Sequence, residues 1–345
     1  LGPYDFGTTG TYGEWKPIEY AGAYGTNGFY LPFKQDYTVE GFSTVIYRGT
    51  GATQYIGGTG FQPDFTWIKN RDATNYHALY DSVRGVTKAI QSNTSTAEQT
   101  FSGSLTSFDT DGFTVGSHTD ENEDGDNLVA WNWDMGGSNA SNTNGSITST
   151  VRANATYGQS IVSYTGNGTA GATVGHGLSS VPEMIIVKRR SSSQSWFVYH
   201  KDFGTLGHWQ AKLNTTDAPF DDAGAWNDTA PSNSLITFGN SGATNQSSGT
   251  FIAYCFHSVT GYSKFGKYTG NGNASGTSVT TGFEPAFVLV KGLSGDMTHK
   301  HWTIRDNTRS PNNDRTKGLH ANKDEAEFDA SNNAMAFSST GFQLK

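Results

Sequence analysis

One pattern occurs three times in the sequence, and this repetition limits the possible folds more than any other feature. Each copy has a Tyr before a Gly-rich turn, a Pro 16 to 18 residues later, and a short apolar run that ends in Lys six residues after the Pro. The prolines are Pro63, Pro182 and Pro285, at intervals of 119 and 103 residues. Such repetition indicates one structural unit used several times. Because units of about 100 residues can hold a core of their own, we expect three separate cores.

Each copy is predicted to consist of strands. The runs after the prolines, at residues 65–69, 184–188 and 287–291, are nearly continuous apolar segments, which is typical of strands buried on both faces. Gly accounts for 43 of the 345 residues, and a chain rich in Gly, Ser, Thr and Asn has few strong helix formers. The sequence therefore predicts an all-β fold of tandem β-sandwich-like repeats, with helix only at residues 82–92 and 322–328.

The repeats divide the chain into four parts. Residues 1–40 form a Gly- and aromatic-rich segment, either the tail of a preceding module or an assembly segment, and residues 136–155 are predicted to be a linker. Copies 1 and 2 end in a strand at residues 129–131 and 253–255, whereas copy 3 stops at Lys345 before an equivalent strand. We therefore expect the natural chain to continue. The predicted boundaries are 41–157 for copy 1, 158–260 for copy 2 and 261–345 for the incomplete copy 3.

Charge and cysteine content exclude several classes of protein. With 23 Lys and Arg against 31 Asp and Glu, the formal net charge is −8, which argues against a nucleic acid as partner. No run approaches the ~20 apolar residues of a membrane-spanning helix, so membrane insertion is not expected. Cys255 is the only cysteine, so no internal disulfide can form, and its place in an apolar strand predicts a buried small side chain.

The sequence predicts no catalytic residue and therefore no enzyme. It has no Gly-x-Ser-x-Gly nucleophile elbow, the turn that presents a catalytic serine. Asp81 and Arg84 in copy 1 recur as Asp306 and Arg309 in copy 3, whereas copy 2 has His200 at the Asp position. An Asp that recurs together with an Arg favours a structural ion pair over the paired carboxylates of glycoside hydrolysis.

Residues 120–126 contain the one local motif that indicates a metal. Asp120, Asn122 and Asp124 place oxygen ligands at positions 1, 3 and 5 with Gly125 at position 6, as in the first half of a calcium loop. Position 12 is Trp131 rather than Glu, so the motif is not an EF-hand. The alternatives are a β-hairpin calcium site formed by Asp120, Asn122, Asp124 and Asp126, or a solvated acidic hairpin tip. Apart from calcium, no cofactor is predicted.

Other recurring residues allow both a binding and a structural interpretation. Lys69, Lys188 and Lys291 end the apolar strands, where they could bind a ligand or bring each strand to the surface. Trp196 and Trp302 occupy equivalent positions and could stack on sugars or anchor the core. We favour the structural interpretation for both sets.

Several longer sequence segments indicate a family resemblance. They include residues 60–71, 80–85, 107–113, 164–168, 226–228 and 261–265. These segments resemble repeat domains of tail-fibre and other virion structural proteins of tailed bacteriophages, notably marine ones. Such repeats often follow a concanavalin A/laminin G-like jelly-roll module, and residues 24–33 resemble the seam of one.

The resemblance implies a function outside the cell. It implies a non-enzymatic structural protein of the virion, in a tail fibre, spike or appendage, that associates with other virion proteins. It further implies a homotrimer and contact with a host-surface glycan. The alternatives are a head decoration protein, a secreted carbohydrate-binding adhesin and, with less support, a polysaccharide depolymerase.

Overall fold

The computed structural model describes residues 6–9, 15–17 and 41–345 and divides the chain into two units. In the first unit, Leu1–Asp36, the described residues form one antiparallel pair of strands, β1 (Gly7–Thr9) and β2 (Trp15–Pro17). Residues 24–33, predicted to be a jelly-roll seam, lie outside the described residues. The second unit, Tyr37–Lys345, contains the three sequence copies.

Copy 1 is a sandwich of two antiparallel sheets. The larger sheet has the order β3-β11-β5-β6 and the smaller one the order β4-β10-β9. A short pair, β7 with β8, follows the larger sheet. The elements are β3 (Phe42–Arg48), β4 (Gln54–Gly57), β5 (Phe65–Asn70), β6 (Ala78–Asp81), β7 (Lys88–Ala89), β8 (Gln99–Thr100), β9 (Leu105–Asp109), β10 (Gly112–Val115), the helical turn α1 (Thr119–Asn122) and β11 (Asn127–Trp133).

Copy 2 repeats this layout, and its larger sheet also takes in β12 and β13 from residues 140–154, which the boundaries predicted from the sequence assign to copy 1. Its larger sheet has the order β12-β13-β14-β21-β16-β17-β18-β19, and β15 pairs with β20 on the other side of the sandwich. The elements are β12 (Ala140–Asn142), β13 (Ser149–Asn154), β14 (Gln159–Thr165), β15 (Ala172–Gly175), β16 (Met184–Arg189), β17 (Phe197–His200), β18 (Trp209–Lys212), β19 (Phe220–Asp221), α2 (Ala223–Trp226), β20 (Leu235–Phe238) and β21 (Thr250–Phe256).

Copy 3 has the smaller sheet but only part of the larger one. The orders are β22-β28-β27 and β23-β24-β25-β26. The elements are β22 (Ser278–Thr280), β23 (Phe287–Lys291), β24 (Trp302–Asp306), β25 (Lys317–His320), β26 (Phe328–Asp329), a 3₁₀ turn (Ser331–Asn333), β27 (Met335–Ser338) and β28 (Gly341–Leu344).

The all-β prediction is confirmed, and two local predictions are wrong. Residues 82–92 and 322–328 are not helical; in the first segment Gly85 and Thr87 have φ of 86° and 64°, which a right-handed helix cannot accommodate. The predicted linker 136–155 contains β12 and β13, because β13 pairs along its whole length with β14. No helix in the described part of the chain is long and apolar enough to cross a membrane.

The three copies have separate cores between their own two sheets, but they share one core on the opposite faces of their larger sheets. Each copy does enclose apolar residues between its own two sheets, such as Ile68 in copy 1, Val187 in copy 2 and Val288 in copy 3. The opposite faces of the larger sheets meet in one shared cluster, to which Trp67, Trp196 and Trp302 each contribute. The three larger sheets therefore bury their second faces against one another.

Candidate functional site

The edge strand β23 in copy 3 lines an apolar cleft of about 1000 Å³. Among the described residues, β23 pairs with β24 alone, so its other edge forms no ladder. Every residue of β5 is buried, whereas four of the five residues of β23 are only half-buried. The lining includes side chains of the shared core, among them Phe42, Trp67, Met184, Phe203, Phe287 and Leu289, together with polar residues of copy 3.

In copies 1 and 2 a strand fills the corresponding space. Strand β11 lies between β3 and β5, and β21 lies between β14 and β16. Residues 263–269, which correspond to β3 when Tyr268 is aligned with Tyr47, form no strand in copy 3. The cleft therefore lies where copies 1 and 2 have their central strand.

Three hydrogen bonds link the copies in cyclic order around the shared core. His77 Nε2 in copy 1 lies 3.0 Å from the His320 carbonyl oxygen in copy 3. Trp196 Nε1 in copy 2 donates to Gln91 in copy 1 at 2.9 Å, and Trp302 Nε1 in copy 3 donates to Lys212 in copy 2 at 3.0 Å. Each copy thus contacts the next one through an equivalent pair of positions.

A second set of contacts joins equivalent residues at two of the three boundaries between copies and differs at the third boundary. Tyr254 in copy 2 donates to Asp81 in copy 1 at 2.7 Å, and Trp131 in copy 1 donates to Asp306 in copy 3 at 3.0 Å. At the third boundary the Asp position holds His200, which lines the cleft. Among the described residues, no strand of copy 3 supplies a donor at this boundary.

Buried ion pairs are likewise found at two of the three boundaries between copies. Arg84 pairs with Asp81 and Arg309 with Asp306, and all four side chains are fully buried, so the predicted structural ion pairs are confirmed. Glu98 bridges Arg84 to Arg190 in copy 2, and Glu327 bridges Arg309 to Arg71 in copy 1. Copy 2 has Phe203 and Pro219 at the Arg and Glu positions, so the boundary between copies 2 and 3 has no equivalent charged bridge.

Residues 38–345 match a family described as a domain of unknown function, DUF7483. The chain belongs to this family. Comparison with curated proteins and with solved structures gives no match.

The three lysines of the DUF7483 domain do not bring their strands to the surface, so that part of the structural interpretation is wrong. Lys69 and Lys188 are fully buried, and Lys291 is half-buried. Lys188 Nζ donates to the Ser95 carbonyl in copy 1, and Lys291 Nζ donates to the Thr216 carbonyl in copy 2. Burial lowers the pKa of each lysine to about 8. Lys188 and Lys291 therefore connect copies through backbone carbonyl oxygens, whereas Lys69 Nζ donates to the Asn70 and Ala73 carbonyls within copy 1.

The buried aromatic and sulfur groups match their predicted structural roles. Trp196 is fully buried and Trp302 nearly so, and both indoles donate across copy boundaries, so they are core anchors. Cys255 is a buried free thiol, and burial raises its pKa to about 12. A thiol protonated at neutral pH is a weak nucleophile.

The residues of the predicted calcium site are not brought together as one ligand set. Asp120 is buried and accepts from Asn75 and from the Tyr76 backbone N–H, and Asp126 accepts from Asn70. In the part of the chain that the structure describes, the carboxylates of Asp120, Asp124 and Asp126 do not all lie within 4.8 Å of one another.

Asn122 shows why this segment is structured instead. Its Oδ1 accepts from the Thr50 backbone N–H at 2.8 Å, and its Nδ2 donates to the carbonyls of Ala52 and Gly116. Asn245 in copy 2 makes the same three bonds, to Asn167, Thr169 and Gly239. Asn122 is fully buried, whereas Asp124 in the same segment is exposed, so the segment is only partly a solvated hairpin tip.

A carboxylate cluster that the sequence did not indicate lies on copy 2. His208 Nδ1 is 3.3 Å from Asp228 and 4.0 Å from Asp221. Both carboxylates are exposed, and exposed acidic groups often come together without a metal. The cleft residues were also missed, although the departures of His200 and Phe203 from the other copies are visible in the sequence.

Proposed function

We propose that the chain is a non-enzymatic structural protein of a tailed-bacteriophage particle, located in a tail fibre, spike or similar appendage. The segments that resemble virion repeat domains supply the class of protein. The observation that supports a structural role is the shared core, around which the three copies are linked in a closed order by hydrogen bonds.

The use of the buried charges also favours a structural role. Asp81, Asp306, Glu98 and Glu327 each pair with a guanidinium group. Removing one member of such a pair strands a buried charge, so these carboxylates stabilise the boundaries between copies. Glycoside hydrolysis instead needs two carboxyl groups facing a cleft that admits sugar, whereas the described cleft beside β23 is chiefly apolar.

Association with other virion proteins, a homotrimeric state and contact with a host-surface glycan belong to the same proposal. They rest on the resemblance. Light scattering of the purified protein tests the trimer, and a glycan array tests sugar binding. A monomer, or an array without signal, would remove that element of the proposal without affecting the structural role.

Immunogold electron microscopy of a phage lysate tests the proposal directly. With an antibody raised against residues 41–260, gold on tails is the expected result. Gold on heads would favour a decoration protein, and label on cells or free protein would favour a secreted adhesin. Release of reducing ends from host polysaccharide would contradict the non-enzymatic assignment.

A further inference from the structure

We propose that a polar cavity at the connection between copies 1 and 2 binds one neutral saccharide unit. The cavity has a volume of about 490 Å³ and lies between residues 61–64, 134–137 and 152–155. It shares no lining residue with the cleft beside β23. The inference assigns a site to the host-glycan contact of the proposed function and rests on that element, whereas its argument comes from the cavity lining.

A buried ion pair fixes the walls of this cavity. Asp64 is buried and pairs with Arg152 at 2.8 Å, and its Oδ2 accepts from the Met135 backbone N–H at 3.0 Å. Arg152 Nε donates to the Gly136 carbonyl at 2.7 Å, and its Nη2 donates to the Gly137 carbonyl at 3.2 Å. Because these bonds join all three segments, the cavity is preorganised before a ligand binds.

Two lining side chains have a donor group that forms no hydrogen bond with the described residues. Arg152 uses Nε and Nη2 in the bonds above, so its Nη1 has no partner there. Asn154 Oδ1 accepts from the Tyr157 backbone N–H at 3.3 Å, which orients the amide and leaves its Nδ2. Both groups can donate to a ligand in the cavity.

Two other lining side chains have an unused acceptor. Asp134 Oδ1 accepts from the Gly136 backbone N–H at 2.8 Å, and none of the described residues donates to its Oδ2. Gln62 Nε2 donates to Asp64 at 3.3 Å, and within the described part of the chain its Oε1 accepts nothing. The lining therefore offers donors and acceptors together, on side chains that are each held by a second bond.

This combination favours a ligand with several hydroxyl groups. A hydroxyl both donates and accepts, so neighbouring hydroxyls of a sugar can bind to a donor and to an acceptor of the lining. An anion would meet the carboxylates of Asp64 and Asp134, and a cation would meet the guanidinium of Arg152, so a neutral ligand is favoured. The volume lies within the range of small-molecule sites.

Phe61 supplies an apolar surface beside these polar groups. Its side chain is half-buried and lines the cavity. The C–H groups of a pyranose ring carry a small positive charge and are attracted to the negative face of an aromatic ring. The cavity thus combines an aromatic side chain with mixed hydrogen-bonding groups, which together suit the two kinds of surface on a sugar.

The site is specific to the connection between copies 1 and 2. Glu183 stands at the Asp64 position in copy 2, where it pairs with Lys201 at 2.8 Å and accepts from the Ser258 backbone N–H at 3.0 Å. Copy 3 has Ala286 at this position. Because the pair that fixes the cavity occurs in copy 1, we expect one saccharide per chain.

A glycan array of neutral hexose and pentose oligosaccharides, probed with the full chain, identifies the ligand. Titration calorimetry with the strongest array ligand then compares variants. Asp134→Asn keeps the acceptor for Gly136 and replaces the unused acceptor with a donor, and Phe61→Ala removes the aromatic face. We expect one ligand per chain and binding about fivefold to tenfold weaker in each variant.

Asp296→Asn is the matched control. Asp296 Oδ1 also accepts from the backbone N–H two residues later, that of Thr298, at 2.9 Å, and Asp296 lies outside the cavity. This variant should bind as the wild type does. In the wild-type chain the ligand should shift the side-chain amide signals of Gln62 and Asn154 in ¹H–¹⁵N spectra, but not those of the exposed Asn240. These shifts show a contact without relying on the stability of any variant.

Three outcomes would overturn the inference. Glycan binding that neither variant weakens, with unshifted Gln62 and Asn154 signals, would place the contact elsewhere and leave the glycan element of the proposed function intact. Binding of acidic glycans alone would contradict the neutral class. An array without signal would remove this site together with the glycan element, whereas the structural role, which gold labelling tests, would be unaffected.

Discussion

Trp131 donates its indole N–H to the carboxylate of Asp306 at 3.0 Å, although 175 residues separate them in the sequence. The bond joins the central strand of copy 1 to copy 3, and the guanidinium of Arg309 lies 5.4 Å from the Trp131 ring centroid. The Trp131 side chain therefore packs in the shared core, donates a hydrogen bond to the buried Asp306 carboxylate and lies near the Arg309 guanidinium that pairs with that carboxylate.

The equivalent bond between Tyr254 and Asp81 can be removed without changing shape. Tyr254→Phe deletes only the hydroxyl that donates to the buried carboxylate at 2.7 Å. Since hydrogen bonds to charged groups contribute about 1.5–3 kcal/mol, we expect that loss in the free energy of unfolding, measured by urea denaturation. Tyr55→Phe, at an exposed tyrosine, is the control, and equal effects of the two variants would contradict the assigned role.

His77 and Trp67 should be replaceable only together. Copies 2 and 3 have Trp196 and Trp302 at the His77 position, with Ile186 and Leu289 at the Trp67 position. Trp67→Ile alone leaves a cavity, and His77→Trp alone overfills the site and removes the acceptor of the Trp67 N–H, 2.8 Å away. We expect each single variant to lose about 2–4 kcal/mol and the double variant to recover at least half of the summed loss, measured as a double-mutant cycle. Additive losses would show that the positions are independent.

Asn122 should be essential for stability despite its place in an acidic segment. Asn122→Ala removes a hydrogen-bond partner from the Thr50 N–H and from the Ala52 and Gly116 carbonyls, and a buried group left unsatisfied costs about 1–3 kcal/mol. We expect a loss of about 3–5 kcal/mol from chemical denaturation, and a similar loss for Asn245→Ala. Asn139→Ala, at an exposed asparagine, should change stability by less than about 0.5 kcal/mol.

Calcium should not change the melting temperature through residues 120–126. A ligand that binds only the native state raises the melting temperature, but the side chains of Asp120, Asn122 and Asp126 are already bound to protein groups. Melting curves in EDTA and in excess calcium should coincide. If calcium raised the melting temperature and Asp124→Asn abolished that increase, the result would support the calcium site predicted from the sequence.

Acid should destabilise the fold through buried histidines. Burial lowers the pKa of His77 well below its usual value and that of His176 to about 4. Below about pH 6.5 the unfolded chain therefore binds protons that the folded chain excludes. The stability is complete above that pH and falls toward pH 4, by about 1.4 kcal/mol per pH unit for each histidine. Urea denaturation from pH 7 to 4.5 measures this slope.

His176→Gln provides the comparison for the acid prediction. The His176 Nδ1 accepts from the Leu178 backbone N–H, and its Nε2 lies 3.2 Å from the Ser232 carbonyl oxygen. Glutamine has both an acceptor and a donor but no titration in this range. The variant should have a shallower loss of stability between pH 6.5 and 4.5, and an unchanged slope would exclude His176 as a contributor.

The sequence predicted the elements of this fold better than their association. Residues 65–68 are apolar on both faces of the strand, which correctly indicates a strand covered on both sides. Ile68 faces the core of its own copy and Trp67 faces the shared core, but the pattern contains no information on which chain segment covers each face. The same limit explains the lysines, because a Lys that ends a strand has the same sequence signature at a surface and at a boundary with another copy.

The calcium-site prediction rests on residue spacing, which does not determine where each side chain points. Asp120, Asn122 and Asp124 have ligand spacing, but Asn122 turns inward and bonds three backbone groups of neighbouring loops. The boundary residues were predictable where a charge pair recurred, as for Asp81 with Arg84. The cleft was foreseeable only as a missing strand, since its walls come from all three copies.

Three copies joined within one polypeptide can differ from one another, which three identical subunits cannot. In a symmetric trimer, exchanging Asp for His at the position of His200 would change all three boundaries between subunits at once. Here the exchange is confined to one boundary between copies, and the other two boundaries keep their charged pairs. Joining the repeats in one chain therefore allows one boundary to change its residues while the other two keep the contacts that hold the copies together.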